Sequence, residues 1–415
     1  MPPKPRKDVV RNGEIGIYHC WSRCVRRAYL FGQDPQTGKD FSYRRDILRK
    51  LMVYQAQIFA IDLGCYNILS NHFHLEARTR PDITNTWDDE EVAWRWKCAW
   101  PSWKEGNWGR EPTDYDIQKL LNDKIKLAKA REGLSSLSWY MARIKEPIAK
   151  LFNKLDSVKG HFFESRFGCR EILDESAVLC CSAYIDLNQI TAGMVTSLEH
   201  SDCSSIQDRI IAARQREAAA SLAEFEEENH ELKRDDSVLN QHQLERMFAD
   251  SYLAPIASKS PLILPSSVKT GERSAASDGQ QEASAPTTGG EIVGRGNKML
   301  TKEIHYKRIQ DLRPRASDNL IFDMEFAQYR QLLEHLALQH LHSTGQLNEE
   351  PHLASDACKE LSRLGVVSER FANAVLHFEQ LFGSHVGRSE SVDQVLERGQ
   401  RKWTTGQNSC RDHFT

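Results

Sequence analysis

Long apolar runs are missing from this chain. No stretch approaches the roughly 18 consecutive apolar residues that a membrane-spanning helix requires. The first residues, Met1-Pro-Pro-Lys-Pro-Arg-Lys7, lack the apolar core of a secretion signal. Neither secretion nor membrane insertion is therefore expected, and a cytoplasmic protein is. The ten cysteines include no Cys-x-x-Cys pair, which removes the usual sequence signs of a zinc site or a thioredoxin-like redox centre. Cys180 and Cys181 are adjacent on a predicted helix and read, like the others, as packing thiols in a reducing compartment. A strongly basic balance is also missing, because the formal net charge is −3. Nucleic-acid proteins often show a high isoelectric point, yet single strands need only a local basic track with stacking aromatics. Residues 1–82 hold 14 Lys and Arg against 8 Asp and Glu, so such a local excess is present. The acidic excess lies in Trp87-Asp-Asp-Glu-Glu91 and Glu224-Phe-Glu-Glu-Glu228.

What the chain does have is Leu69-Ser-Asn-His-Phe-His-Leu75. In a β-strand, side chains alternate between faces. His72, His74, Glu76 and Arg78 then share one face, and Phe73, Leu75 and Ala77 line the opposite, buried one. Two imidazoles converging from one strand make half of a divalent-metal site. A polar strand face that carries two histidines by chance explains the pattern equally well. A second segment, Glu171 to Asn188, reads as a helix with Asp174 as its N-cap. Tyr184 and Asn188 are four apart and share a face of that helix.

Taken together, these segments resemble the single-tyrosine HUH transposases, specifically the REP-associated tyrosine transposases. The resemblance covers the first half of the chain in order. Tyr18-His-Cys-Trp-Ser-Arg23 with Arg26-Arg27 looks like the family's opening strand and basic turn. An amphipathic helix follows at about 42–59, with Ile47, Leu51, Met52, Tyr54 and Ile58 at helical spacing, and a strand at about 60–69 leads into the His-Phe-His strand. Leu137–Lys145 and Ile148–Lys154 match the family's second helix, and Lys159-Gly-His-Phe-Phe-Glu-Ser-Arg166 its later strand. Tyr184-Ile-Asp-Leu-Asn188 with Ala192-Gly193 matches the helix carrying the nucleophile. There are departures. Leu69-Ser70 stands where the family usually has Met-Pro, Gln189 where it prefers Pro, and Pro147 falls inside the second helix, which should kink or split it.

The resemblance implies an α+β fold, with an antiparallel sheet and flanking helices in a ferredoxin-like sandwich. It implies Tyr184 as nucleophile and His72, His74 and Asn188 as ligands of Mg²⁺ or Mn²⁺. Arg23, Arg26, Arg27, Arg166 and Arg170 become candidates for phosphate contact. The partner implied is single-stranded or hairpin DNA, with room for a homodimer, and the location a bacterial cytoplasm near the nucleoid. Two alternatives stay open: a domesticated hairpin-binding protein that no longer cuts, and a His-x-His metal hydrolase built on a strand–helix repeat.

Domain organisation follows from composition. The catalytic domain is expected at 8–200, with an insertion at 83–135 that holds Trp87, Trp94, Trp96, Trp100, Trp103 and Trp108. These tryptophans read as packing a small helical subdomain, with stacking on unpaired bases as the less favoured reading. Residues 204–250 read as charged helices and 255–298 as a disordered Ser/Pro/Gly-rich linker. Residues 299–415 read as a mostly helical second module ending in a solvated basic tail. A chain stopped near residue 250 is expected to fold and to keep the chemistry.

Overall fold

The computed structural model describes residues 8–100, 111–228, 241–257, 314–347, 355–399 and 403–414. A single sheet organises them, in the order β2-β3-β1-β4-β5. Its strands are β1 (Ile17–Arg23), β2 (Ile61–Ile68), β3 (His72–Thr79), β4 (Gly168–Ile172) and β5 (His385–Val386). The first four pair antiparallel, and β5 joins β4 in parallel at the edge. With α1 (Tyr43–Ile58) between β1 and β2, and α6 (Leu137–Leu155) between β3 and β4, the first part of the chain runs β-α-β-β-α-β.

Register decides what each face carries. His72 lies opposite Arg23, His74 opposite Trp21 and Glu76 opposite His19, so the alternation of β3 continues across β1. The face with Tyr18, Cys20, Phe73, Leu75 and Ala77 shares one apolar cluster with Leu48, Leu51, Met52 and Ile58 of α1 and with Tyr140, Ile144 and Phe152 of α6. This is the partition that the strict period of two requires. α1 matches the expected helix within a residue at each end. Pro147 does not split α6, which stays helical over 19 residues. The pyrrolidine ring is buried beside Ile144 and Ile148, and packing there offsets the backbone bond that proline cannot donate.

The insertion contributes α2 (Pro81–Thr84), α3 (Asp89–Ala99), α4 (Asp114–Leu121) and α5 (Lys124–Leu134). Trp94 is buried, and Trp87, Trp96 and Trp100 pack against the same core as α1. Trp96 and Trp100 stack at 3.9 Å, and Trp139 meets both edge-on. Trp103 and Trp108 lie outside the described residues.

The opposite face of the sheet is covered by α7 (Glu175–Asp186) and α8 (Asn188–Thr191), and then by the C-terminal part of the chain. Asp174 caps α7 as expected, accepting from the Ala177 amide at 3.1 Å. Its other carboxylate oxygen accepts from the Arg388 amide at 2.6 Å, so one aspartate both starts a helix and holds a segment far along the chain. The expected strand at 159–166 is instead a loop that buries Phe162 and Phe163, and β4 begins after it.

The C-terminal region departs most from expectation. After α9 (Ser205–Glu228) and α10 (Gln241–Met247), Pro255, Ile256 and Ala257 are not part of an open linker. They are buried, and the carbonyls of Pro255 and Ile256 accept from the Ile321 and Met324 amides at 2.9 and 2.7 Å. Residues 258–298 lie outside the described residues. From residue 314 onward come α11 (Phe326–Ser343), α12 (Ser355–Arg363), α13 (Ser368–Leu376), α14 (Phe378–Leu381), α15 (Ser389–Arg398) and α16 (Gln407–His413). Their buried side chains form one continuous cluster with α7 and β4. Even the tail, expected to be solvated, places Cys410 and Phe414 in this cluster, where Phe414 stacks on Phe382 at 5.3 Å. Among the described residues no helix is long and apolar enough to cross a membrane.

One polar knot ties these layers together. Asp208 of α9 is buried, and it accepts from Arg49 of α1 at 2.6 Å, from Tyr66 of β2 at 2.5 Å and from Tyr252. Removing its charge leaves a guanidinium facing two phenols in a poorly solvated place. Asp208→Asn is expected to cost about 3 kcal/mol of stability, the usual scale for breaking a buried ion pair. Thermal unfolding reads this as a drop in Tm, and an unchanged Tm would show that the knot is energetically neutral.

Candidate functional site

The polar face of the sheet brings most of the expected residues together. His74 is fully buried on β3 and His72 is partly buried beside it, with ring centroids 5.0 Å apart. Tyr184 projects from α7 onto them, its ring meeting His74 edge-on at 5.5 Å. α7 ends at Asp186, and Asn188 opens α8, so the expected single helix is broken at Leu187. Leu187 keeps near-helical backbone angles, so the four-residue spacing still sets Asn188 beside the Tyr184 hydroxyl, with which its amide interacts.

A third histidine was not singled out in the sequence. His19 of β1 faces the same way, and its Nε2 lies 2.9 Å from Nδ1 of His74. The two rings stack at 5.1 Å, and Tyr184 meets His19 edge-on at 5.7 Å. The signal was present in Tyr18-His-Cys-Trp-Ser-Arg23, but only the pairing of β1 with β3 shows that His19 and His74 share a face.

Burial holds His19 and His74 well below the usual imidazole range, with Arg170 and the neighbouring imidazoles adding to it. His72 is pushed down to about 4 by burial and then by the Arg23 charge. All three are neutral at pH 7, the state in which an imidazole offers a lone pair. His72 Nδ1 is paired with Asn71 Oδ1 at 2.5 Å, which leaves Nε2 as its ligating nitrogen. His74 Nε2 is buried with no hydrogen-bond partner, while its Nδ1 is occupied by His19. If His74 donates through Nδ1, Nε2 carries the lone pair. A hydrogen bond on the far nitrogen is the usual way a ligating imidazole is oriented. Among the described residues no three His, Cys, Asp or Glu side chains form a metal-holding group. The donor set here is two imidazoles and an amide, and the orphaned nitrogen of His74 fits it.

The arginines separate into two groups. Arg26 and Arg27 sit exposed in a turn where both have φ near +54°, and Arg166 is exposed in the loop before β4. Arg23 is half-buried at the end of β1 and pairs with Glu379 at 3.1 Å. Arg170 is not on the surface: it is buried on β4 between Trp21 and Phe378, and it donates to the Glu379 carbonyl at 3.0 Å.

Those contacts reveal a component that the sequence reading missed. Helices were expected through Ser368–Phe382, but α13 stops at Leu376 and His377 leaves the helical region. The break turns Phe378 and Glu379 inward. Phe378 stacks on Tyr184 at 4.9 Å, and Glu379 follows it with its carboxylate on Arg23. Burial, and then the Glu379 charge, hold that phenol well above its ordinary value. Nothing local to Phe378-Glu379 announces this role, because their partners lie on α7 and β1.

Searches with this chain find no matching protein-family model, no matching curated protein and no matching solved structure.

Proposed function

We propose that this protein is a metal-dependent endonuclease and strand transferase acting on single-stranded DNA at hairpin-flanked sites, as a transposase of the single-tyrosine HUH type. The observation that supports the reading is that Tyr184, with Asn188 four residues on, packs against the sheet face that carries His72 and His74. The β-α-β-β-α-β run with strand order β2-β3-β1-β4 is also the split βαβ layout that a ferredoxin-like sandwich requires.

In this reading His72, His74 and Asn188 hold Mg²⁺ or Mn²⁺, which when bound polarises the scissile phosphate and fixes its orientation. Tyr184 Oη attacks phosphorus and the 3′ oxygen leaves. The products are a 5′-phosphotyrosine link and a free 3′ hydroxyl. The link keeps the phosphodiester's energy, so rejoining to another end needs no nucleotide cofactor. Of the five candidate arginines, Arg26, Arg27 and Arg166 are exposed and are the ones that would guide the strand.

A hydrolase on a parallel strand–helix repeat does not suit an antiparallel sheet. Hairpin binding without cleavage remains the second reading, favoured by the close cover that Phe378 and Glu379 place over Tyr184. Labelled hairpin DNA with a single-stranded flank decides between them. In Mn²⁺ the full chain is expected to give a denaturant-resistant adduct that a chelator prevents, whereas a blunt duplex of the same sequence gives none. Tight hairpin binding with no adduct would establish the second reading, and equal reaction with the duplex would remove both.

A further inference from the structure

Two parts of the proposed site, the exposed Arg26-Arg27 turn and the His72 imidazole, meet at one amide. β1 stops at Arg23, directly opposite His72, so the turn and the first residue of β3 lie at the same end of the sheet. Asn71 sits between them with both ends of its side chain engaged. Its Nδ2 donates to the Arg27 carbonyl at 3.2 Å, and its Oδ1 lies 2.5 Å from His72 Nδ1. Its backbone carbonyl also accepts from the Cys24 amide at 2.8 Å.

A carbonyl oxygen only accepts, so the Arg27 end fixes which way the amide points. The atom left facing His72 is then an oxygen, and Nδ1 must carry the imidazole proton. The lone pair falls on Nε2. The turn is itself held against its preference. Arg26 and Arg27 are consecutive non-glycine residues with φ of 54°, a conformation that persists only where the surroundings impose it.

Building on the function proposed above, we infer that Asn71 is a positioning residue that joins the metal ligand to the phosphate-guiding turn. One side chain sets His72 with Nε2 free for the ion and keeps Arg26 and Arg27 turned out for the strand. No proton or bond changes hands at Asn71. Its loss disturbs both ends at once, which loss of a ligand or of a phosphate contact alone would not do.

Three measurements on the full chain test the link. Nitrogen NMR of histidine-labelled, metal-free wild type is expected to show His72 protonated at Nδ1, its signal identified by its loss in His72→Gln. A proton on Nε2 instead overturns the inference with no substitution at Asn71. Mn²⁺ affinity, read from the electron spin resonance of the free ion, is expected to fall about 10-fold or more in Asn71→Ala. Affinity for a hairpin oligonucleotide in chelator is expected to fall about fivefold in the same variant, which adds no charge. Asn71→Asp keeps an acceptor for His72 but sets a second oxygen against the Arg27 carbonyl. It should bind Mn²⁺ at least as tightly as wild type while its hairpin affinity drops at least as far as that of Asn71→Ala. Wild-type affinity for either probe in Asn71→Ala overturns the link, and so does an Asn71→Asp that loses Mn²⁺ to the same extent. A wild type that takes up no Mn²⁺ and forms no adduct removes the functional proposal and this link with it. Mn²⁺ binding that Asn71→Ala leaves unchanged removes the link alone.

Discussion

Tyr184→Phe is expected to abolish the covalent adduct, a loss on the order of 10⁴-fold or more, as removal of a nucleophile does. Hairpin affinity should be nearly unchanged. The reason lies in what the substitution leaves in place. The ring stacked on Phe378 at 4.9 Å and edge-on to His19 and His74 is retained, and only the hydroxyl oxygen disappears. Unfolding temperature and hairpin affinity serve as controls on the same preparation. Adduct formation by the Phe variant would sink the assignment and require another tyrosine. The structure makes that a demanding outcome. The Tyr18 hydroxyl accepts from the Arg11 amide, the Tyr66 hydroxyl is bound to Asp208, and Tyr140 is fully buried in the core with α1 and α6.

Ending the chain near residue 250 is expected to destroy the fold, contrary to what its composition suggests. Ile321, Phe322, Met324, Leu332, Leu333, Leu336, Phe371, Val375, Phe378 and Phe382 are all buried in the cluster that covers α7 and β4. Each fully buried side chain of this size contributes about 1.5–3 kcal/mol. Without them the apolar side of α7 and β4 that they cover is left open to water. The cut also removes Tyr329, whose hydroxyl donates to buried Asp186 at 2.8 Å, and Ser317, which donates to buried Asp62 at 2.8 Å. The truncated chain should aggregate, or lose its cooperative melting transition. A soluble monomer melting within a few degrees of the full chain would show that the two parts fold independently.

The two histidines, the tyrosine and the amide were legible because each signal is local. A period of two places His72 with His74, and a spacing of four places Tyr184 with Asn188. The facing of His19 depended on strand pairing, which a sequence does not print. Phe378 and Glu379 were less legible still, because helical periodicity runs straight through them and hides the break at His377. The linker was misread at its near end for a related reason. Pro255, Ile256 and Ala257 look like the start of a low-complexity stretch, yet all three are buried and the carbonyls of Pro255 and Ile256 meet amides from residues 321 and 324. Composition reports what a segment cannot bury by itself, not what another segment brings to it.

The parallel pairing of β5 with β4 sets an order of events during synthesis. β4 ends at Ile172, and its partner residues His385 and Val386 emerge only after some two hundred more have been made. At ribosomal rates that interval is roughly 10–40 s. Throughout it the β4 edge lacks its partner strand, an unpaired edge on an incomplete molecule. Glu379 arrives in the same late stretch, so Tyr184 gains its carboxylate neighbour only when the sheet gains its last strand.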